Sequence, residues 1–153
     1  MSPEKYAESN EPKLIPPYGG KLINLIAPKD KHSELKKLSS KSLECSDRNA
    51  CDIELLMVGA FSPNKGFMNE VEYDSVVKNN RTTSGHLFGL PLVLDTDQED
   101  LKIGDCVLLK YKGQDLAILN IEDKWEPNKV IEAKFCYGTT SLEHPAVKMI
   151  SME

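Results

Sequence analysis

The sequence is short of arginine and of long apolar runs, and both deficits limit what the chain can bind. Arg48 and Arg81 are the two arginines among 153 residues, and 24 acidic residues outnumber 19 basic ones, which gives a net charge of −5. Such a chain is a poor partner for nucleic-acid phosphates, which need a basic face. The longest apolar run, residues 55–61, is too short for a membrane-spanning helix, which needs about 20 residues. We therefore expect neither a nucleic acid nor a membrane as partner.

The motifs that bind nucleotides or metals are also missing. Gly20 and Lys21 are followed by Leu22 rather than by Ser or Thr, and no Gly-x-Gly-x-x-Gly string occurs. The three histidines lie far apart in the sequence, and no Cys-x-x-Cys pair exists. We therefore predict no catalytic, cofactor-binding or metal-binding residue in this chain. The chain has four scattered cysteines: Cys45, Cys51, Cys106 and Cys136. Their scatter, together with the lack of a secretory leader, predicts reduced thiols and a cytoplasmic location.

The first part of the chain gives weak signals of secondary structure. Residues 1–13 are polar and predict a flexible N-terminal arm. The prolines and glycines of residues 14–20 predict a rigid turn. Residues 22–26 are β-favouring and predict a short strand, and residues 33–44 predict an amphipathic helix.

Two further helices have clearer boundaries. Asn49 is a candidate N-cap for a helix that ends at Gly59. Asn69 and Glu72 resemble a capping box that opens a helix over residues 70–79. Its inward side chains are predicted to be Val71, Tyr73 and Val76.

The remainder predicts mostly strands. Residues 90–94, 106–111 and 116–121 are β-favouring, and the last two flank a tight turn at residues 112–115 that predicts a hairpin. Helical spacing predicts a helix over residues 129–137 that stops at Gly138, and residues 144–150 start like another strand. The pattern predicts an α+β fold, with helices first and then a small, barrel-like antiparallel sheet.

One string has a specific resemblance. Residues 55–68 read Leu-Leu-Met-Val-Gly-Ala-Phe-Ser-Pro-Asn-Lys-Gly-Phe-Met. This closely resembles a signature of the ATP sulfurylases (sulfate adenylyltransferases), which read Gly-x-Phe-Ser-Pro-Leu-x-Gly-Phe-Met after a short helix. The resemblance extends in the family's order and spacing over about residues 14–150. The signature positions are Gly59, Phe61, Ser62, Pro63, Gly66, Phe67 and Met68.

The resemblance covers only the N-terminal domain of that family, a small PUA-like antiparallel β-barrel with flanking short helices, here residues 14–153. In the family, sulfate attacks the α-phosphorus of MgATP to give adenylyl sulfate and pyrophosphate. The residues that do this lie on a Gln-x-Arg-Asn string and a His-x-x-His pair in a nucleotidyltransferase domain, and this chain has neither. The resemblance therefore implies that this chain is inactive alone, that the absent catalytic domain would bind MgATP, and that this domain is the partner, in cis or in trans.

Departures from the family pattern lie at Tyr18, where histidine is usual, at residues 64–65 and at Ala146. The signature also has a structural explanation, in which its glycines and proline turn the chain and its apolar side chains fill the core. A second functional hypothesis is a freestanding PUA-like module that binds RNA or a small ligand. Residues 51–153 disfavour RNA because they carry 17 acidic and 10 basic residues.

Overall fold

The computed structural model describes residues 14–152, so that the predicted arm at residues 1–13 lies outside the described residues. A 3-10 turn at Lys29–Lys31 precedes the first helix. The helices and strands follow in this order: α1 His32–Leu38, β1 Lys41–Glu44, α2 Asp47–Val58, α3 Glu70–Asn79, β2 Cys106–Tyr111, β3 Gln114–Asn120, α4 Lys129–Tyr137 and α5 Pro145–Ile150.

The three strands form one mixed sheet in the order β1-β2-β3. β1 lies parallel to β2, with Lys41 opposite Val107, and β2 and β3 form an antiparallel hairpin. The hairpin turn has positive φ at both central residues, 48° at Lys112 and 77° at Gly113, as a two-residue turn of this hand requires. The predicted hairpin and the α+β class are confirmed. The described sheet is mixed rather than antiparallel throughout, because β1, which was not predicted, pairs parallel with β2.

β1 replaces the second half of the helix predicted over residues 33–44. The helix ends at Leu38, and Leu43, on β1, is only 8% exposed in the core. The helical pattern was weak, with few apolar residues among lysines. Pairing with β2 is therefore more favourable than continuing the helix, because the strand buries Leu43 and its backbone groups form hydrogen bonds with β2.

The strands predicted at residues 22–26 and 90–94 are wrong. Among the described residues, each of these segments makes a single backbone–backbone hydrogen bond to another part of the fold: the Leu25 amide donates to the Met57 carbonyl at 2.9 Å, and the Leu92 carbonyl accepts from the Met68 amide at 2.8 Å. A strand assignment needs a ladder of such bonds.

The strand predicted over residues 144–150 is also wrong, because these residues form α5. Pro145 occupies the first turn of that helix, where its fixed φ is already helical and its missing amide costs no bond.

Helices α2, α3 and α4 agree well with the sequence, apart from two details. Ser46 rather than Asn49 caps α2, and its side chain accepts a bond from the Asn49 amide. Helix α3 has the predicted bounds and the predicted Asn69 cap, but Val71 is 68% exposed, whereas Tyr73 and Val76 are buried. Val71 faces solvent because the buried stripe of α3 runs through the other two side chains and Val77.

The buried residues form two main clusters, one under the sheet and one around α3. Leu43, Val107 and Leu109 belong to the first, and Tyr73 and Val76 belong to the second. A smaller cluster lies between α4 and α5. Among residues 14–152, no helix combines the length and the apolar character that a membrane crossing requires.

Candidate functional site

The chain between α2 and α3, residues 59–68, carries all seven signature positions, and we call it the signature turn. It starts at Gly59, which ends α2 with φ of 82°, a left-handed conformation that suits glycine. The buried hydroxyl of Ser62 donates to the Gly59 carbonyl at 2.6 Å. The hydroxyl oxygen of Ser62 also accepts a 2.9 Å bond from the Ile23 amide. Ser62 therefore closes the turn and joins it to a segment 39 residues earlier.

Two glycines let this earlier segment approach the turn closely. A methyl group added at Gly59 would lie 2.8 Å from both the Ile23 carbonyl oxygen and Cδ1 of Leu22. One added at Gly19, whose φ is +76°, would lie 2.7 Å from Cβ of Pro63. Neither position can carry a side chain without movement of its neighbours.

The apolar signature residues point into the fold. Met68 is buried, and its sulfur accepts a 3.4 Å bond from the Leu92 amide. Phe61 packs edge-on against Phe88, with ring centroids 6.3 Å apart. Phe67 is half-buried and contacts both main clusters, so that it connects the sheet to α3.

Tyr18, at the position where the family usually has histidine, lies next to the signature turn. Its hydroxyl donates to the Leu87 carbonyl at 3.0 Å, and its ring meets the His86 ring edge-on at 5.7 Å. Nδ1 of His86 is 2.9 Å from Oγ of Ser84. Tyr18 therefore holds the turn at residues 14–20 against residues 86–87.

An open cleft of about 1800 Å³ runs beside the signature turn, lined by Asn64, Lys65 and Phe67 among others. Eight carboxylate and four lysine side chains line it, so that its field is negative. A negative cleft repels anions such as sulfate and nucleotide phosphates. The arrangement therefore disfavours phosphate chemistry.

A buried acid in α4 was not predicted from the sequence. Glu132 is 6% exposed, and Tyr73 of α3 donates a 2.6 Å hydrogen bond to its Oε2. Burial, and then the neighbouring Glu132 carboxylate, raise the pKa of Tyr73 far above its ordinary value. Trp125 packs on the Tyr73 ring with centroids 4.4 Å apart. In the sequence, Glu132 stands between the apolar residues Ile131 and Ala133, but its burial follows only from the packing of α3 against α4.

Burial also affects the thiol of Cys136, one turn beyond Glu132. It raises the pKa of Cys136 to about 11, with the Glu132 charge as the second cause. All four cysteines are free, and Cys51 is exposed. Cys136 is therefore a protonated packing group at neutral pH.

Comparisons with known proteins give a consistent result. A family model described as a PUA-like domain matches residues 15–153. Sulfate adenylyltransferase from Neurospora crassa is 42% identical over 145 residues, and its counterpart from Aspergillus fumigatus is 42% identical over the same length. Each match covers 88% of this chain and 25% of the relative, so that the chain spans about a quarter of the length of these curated relatives.

A solved structure described as a hexameric APS kinase from Thiobacillus denitrificans is similar to this chain, with a TM-score of 0.67 and 36% identity. That similarity covers 75% of this chain and 24% of the solved chain. The comparison by structure therefore agrees with the comparison by sequence: the similarity is confined to one domain of a larger protein.

Proposed function

The chain belongs to the PUA-like domain family, and we propose that it works as the non-catalytic N-terminal domain of a sulfate adenylyltransferase. The observation that carries the proposal is the extent of the match, which takes in 88% of this chain and a quarter of relatives bearing that name. Its task is architectural: it packs against a catalytic portion, supplied in cis or in trans, and helps to shape that portion's surface.

The chemistry of the described residues supports a non-catalytic role. Adenylyl transfer needs cationic donors set around the α-phosphate, where negative charge develops. The side chains of the signature turn serve the fold instead, since Ser62 bonds to Gly59 and Ile23, and Met68 is buried. The cleft beside them carries twice as many carboxylates as lysines. We assign MgATP to the catalytic portion.

The cellular setting is part of the same proposal. We place the chain in the cytoplasm, in sulfate assimilation, the process in which sulfate is activated as adenylyl sulfate. The four free cysteines support a reducing compartment.

Two assays test the proposal. The purified chain should release no pyrophosphate from ATP with sulfate or molybdate, whereas the intact Neurospora crassa relative serves as the positive control. A full-length chimera of that relative, with its matching quarter replaced by this chain, should fold and release pyrophosphate. Turnover by the chain alone, abolished by a substitution in it, would refute the non-catalytic role. A chimera that folds but is inactive, or in which the two portions melt independently, would refute the architectural role.

The alternative of RNA binding is tested on the same preparation. With two arginines and a net charge of −5, the chain should form no specific RNA complex at physiological salt. A gel-shift titration that showed a complex below about 1 μM would favour the freestanding binding module instead.

A further inference from the structure

Residues 22–26, Leu-Ile-Asn-Leu-Ile, lie beside the end of α2 and the signature turn, and we call them the edge segment. The Ile23 amide donates to Oγ of Ser62, and the Leu25 amide donates to the Met57 carbonyl. Alternate residues thus bond toward the same side, which is the two-residue repeat of an extended chain. One edge of the segment is therefore anchored to the end of α2 and to the signature turn.

The other edge is not anchored. Amides of Leu22, Asn24 and Ile26 belong to it by the same alternation. Within residues 14–152, those of Leu22 and Asn24 have no hydrogen-bond partner, and the Ile26 amide bonds only to Oδ1 of its neighbour Asn24 at 2.9 Å. An extended chain with one open edge is a template for the addition of another strand.

The side chains around this edge are apolar and exposed. Leu22 is 51% exposed, Leu25 42% and Ile26 57%. Leu55 and Val58, which are three residues apart on α2, are 41% and 52% exposed and lie on the helix face that Leu22 approaches at Gly59. Exposed apolar side chains concentrated in two neighbouring segments are typical of an interaction site.

We propose that the edge segment pairs through its open edge with a strand from the catalytic portion of a sulfate adenylyltransferase. The pairing is by strand addition, in which main-chain bonds supply affinity and alternate side chains supply specificity. The inference rests on the proposed function. The comparisons point to the catalytic portion as the source of the partner strand, because the edge segment lies inside the family match and about three quarters of each relative lies outside it.

The test compares two substitutions in the full-length chimera. Asn24→Pro removes the outward amide and the side chain, whereas Asn24→Ala removes only the side chain and thus controls for its loss. In the unsubstituted chimera, the Leu22 and Ile26 amides should exchange hydrogen at least about tenfold more slowly than in the chain alone. Asn24→Ala should keep this protection, and Asn24→Pro should abolish it.

A second pair covers the case in which Asn24→Pro does not fold, as judged by Trp125 fluorescence of the chain alone. Ile26→Lys should weaken protection of the Leu22 amide in the chimera, since it places a charge on the paired surface. Leu38→Lys, an equally exposed leucine at the end of α1, should leave that protection unchanged.

The outcomes separate the two proposals. An active chimera whose Leu22 and Asn24 amides exchange as fast as in the chain alone would overturn the strand pairing and leave the proposed function standing. A folded but inactive chimera would overturn both. Protection that appears in the chain alone as its concentration rises would make a second copy the occupant, and would overturn the pairing proposed here.

Discussion

The hydroxyl of Tyr73 donates a 2.6 Å hydrogen bond to Oε2 of Glu132, a residue 59 positions further along the chain. Both residues are almost fully buried, at 3% and 6% exposure, and the bond joins α3 to α4. A buried carboxylate is costly unless hydrogen bonds replace the water it has lost. The contact therefore specifies how the two helices are paired.

Removing the hydroxyl should destabilise the protein. We expect Tyr73→Phe to lower the free energy of unfolding by about 1–3 kcal/mol, the range for leaving a buried acceptor without its donor. Urea unfolding followed by the fluorescence of Trp125, the single tryptophan, which stacks on Tyr73, measures the change. Glu132→Gln keeps an acceptor and should cost less than Tyr73→Phe. Equal stability of Tyr73→Phe and the unsubstituted protein would show that the bond contributes nothing.

The sequence predicted well where the determinants are local. Asn69 and Gly138 lie next to the helices they delimit, and the Lys112–Gly113 turn determines its hairpin, so that these elements have the predicted bounds to within about two residues. β1 could not be predicted because its partner, β2, lies more than 60 residues away. The Tyr73–Glu132 bond could not be predicted either, because it joins residues 59 positions apart.

The candidate site divides in the same way. The signature positions were expected together because they are contiguous in sequence, and Gly59 was expected at a helix end. The bond from the Ile23 amide to Ser62 spans 39 residues and could not be read from residue types. The strand predicted for residues 22–26 was wrong for a related reason: the segment is β-favouring, but the described residues supply no strand beside its open edge.

Two glycines with similar backbone conformations provide a matched pair. Gly59 and Gly138 both end helices with positive φ, 82° and 71°. A methyl group at Gly138 would meet nothing within 4 Å, whereas one at Gly59 would lie 2.8 Å from the Ile23 carbonyl. Gly138→Ala should cost about 1–2 kcal/mol, the conformational penalty alone. Gly59→Ala should cost clearly more in urea unfolding, and equal costs would mean that the earlier segment moves aside freely.

The half-buried thiol of Cys136 predicts a loss of stability at alkaline pH. Its pKa is raised to about 11 in the folded protein, from an unfolded value near 9. The folded state therefore keeps a proton that the unfolded state releases, so that this contribution is complete below about pH 9 and disappears as the pH rises toward 11. Urea unfolding between pH 8 and pH 11 should show a shallower decline for Cys136→Ala than for the unsubstituted protein. Cys51→Ala, at an exposed thiol, is the control, and a decline equally steep in both variants would contradict the assignment.

Substitution of Phe67 distinguishes a structural role of the signature turn from a role in direct contact with a partner. Its ring contacts both main clusters, so that Phe67→Ala removes the contact between the sheet and α3. We expect a cost of about 3 kcal/mol, at the low end for an aromatic residue because the ring is only half-buried. Loop substitutions at the same turn, Asn64→Ala and Lys65→Ala, should change stability by less than about 0.5 kcal/mol, since Lys65 is exposed and the buried Nδ2 of Asn64 makes no hydrogen bond to the described residues. Denaturant unfolding of the three variants decides between the alternatives: if Phe67→Ala is as stable as the other two, the ring is not held by the core, and the signature turn is itself a docking surface.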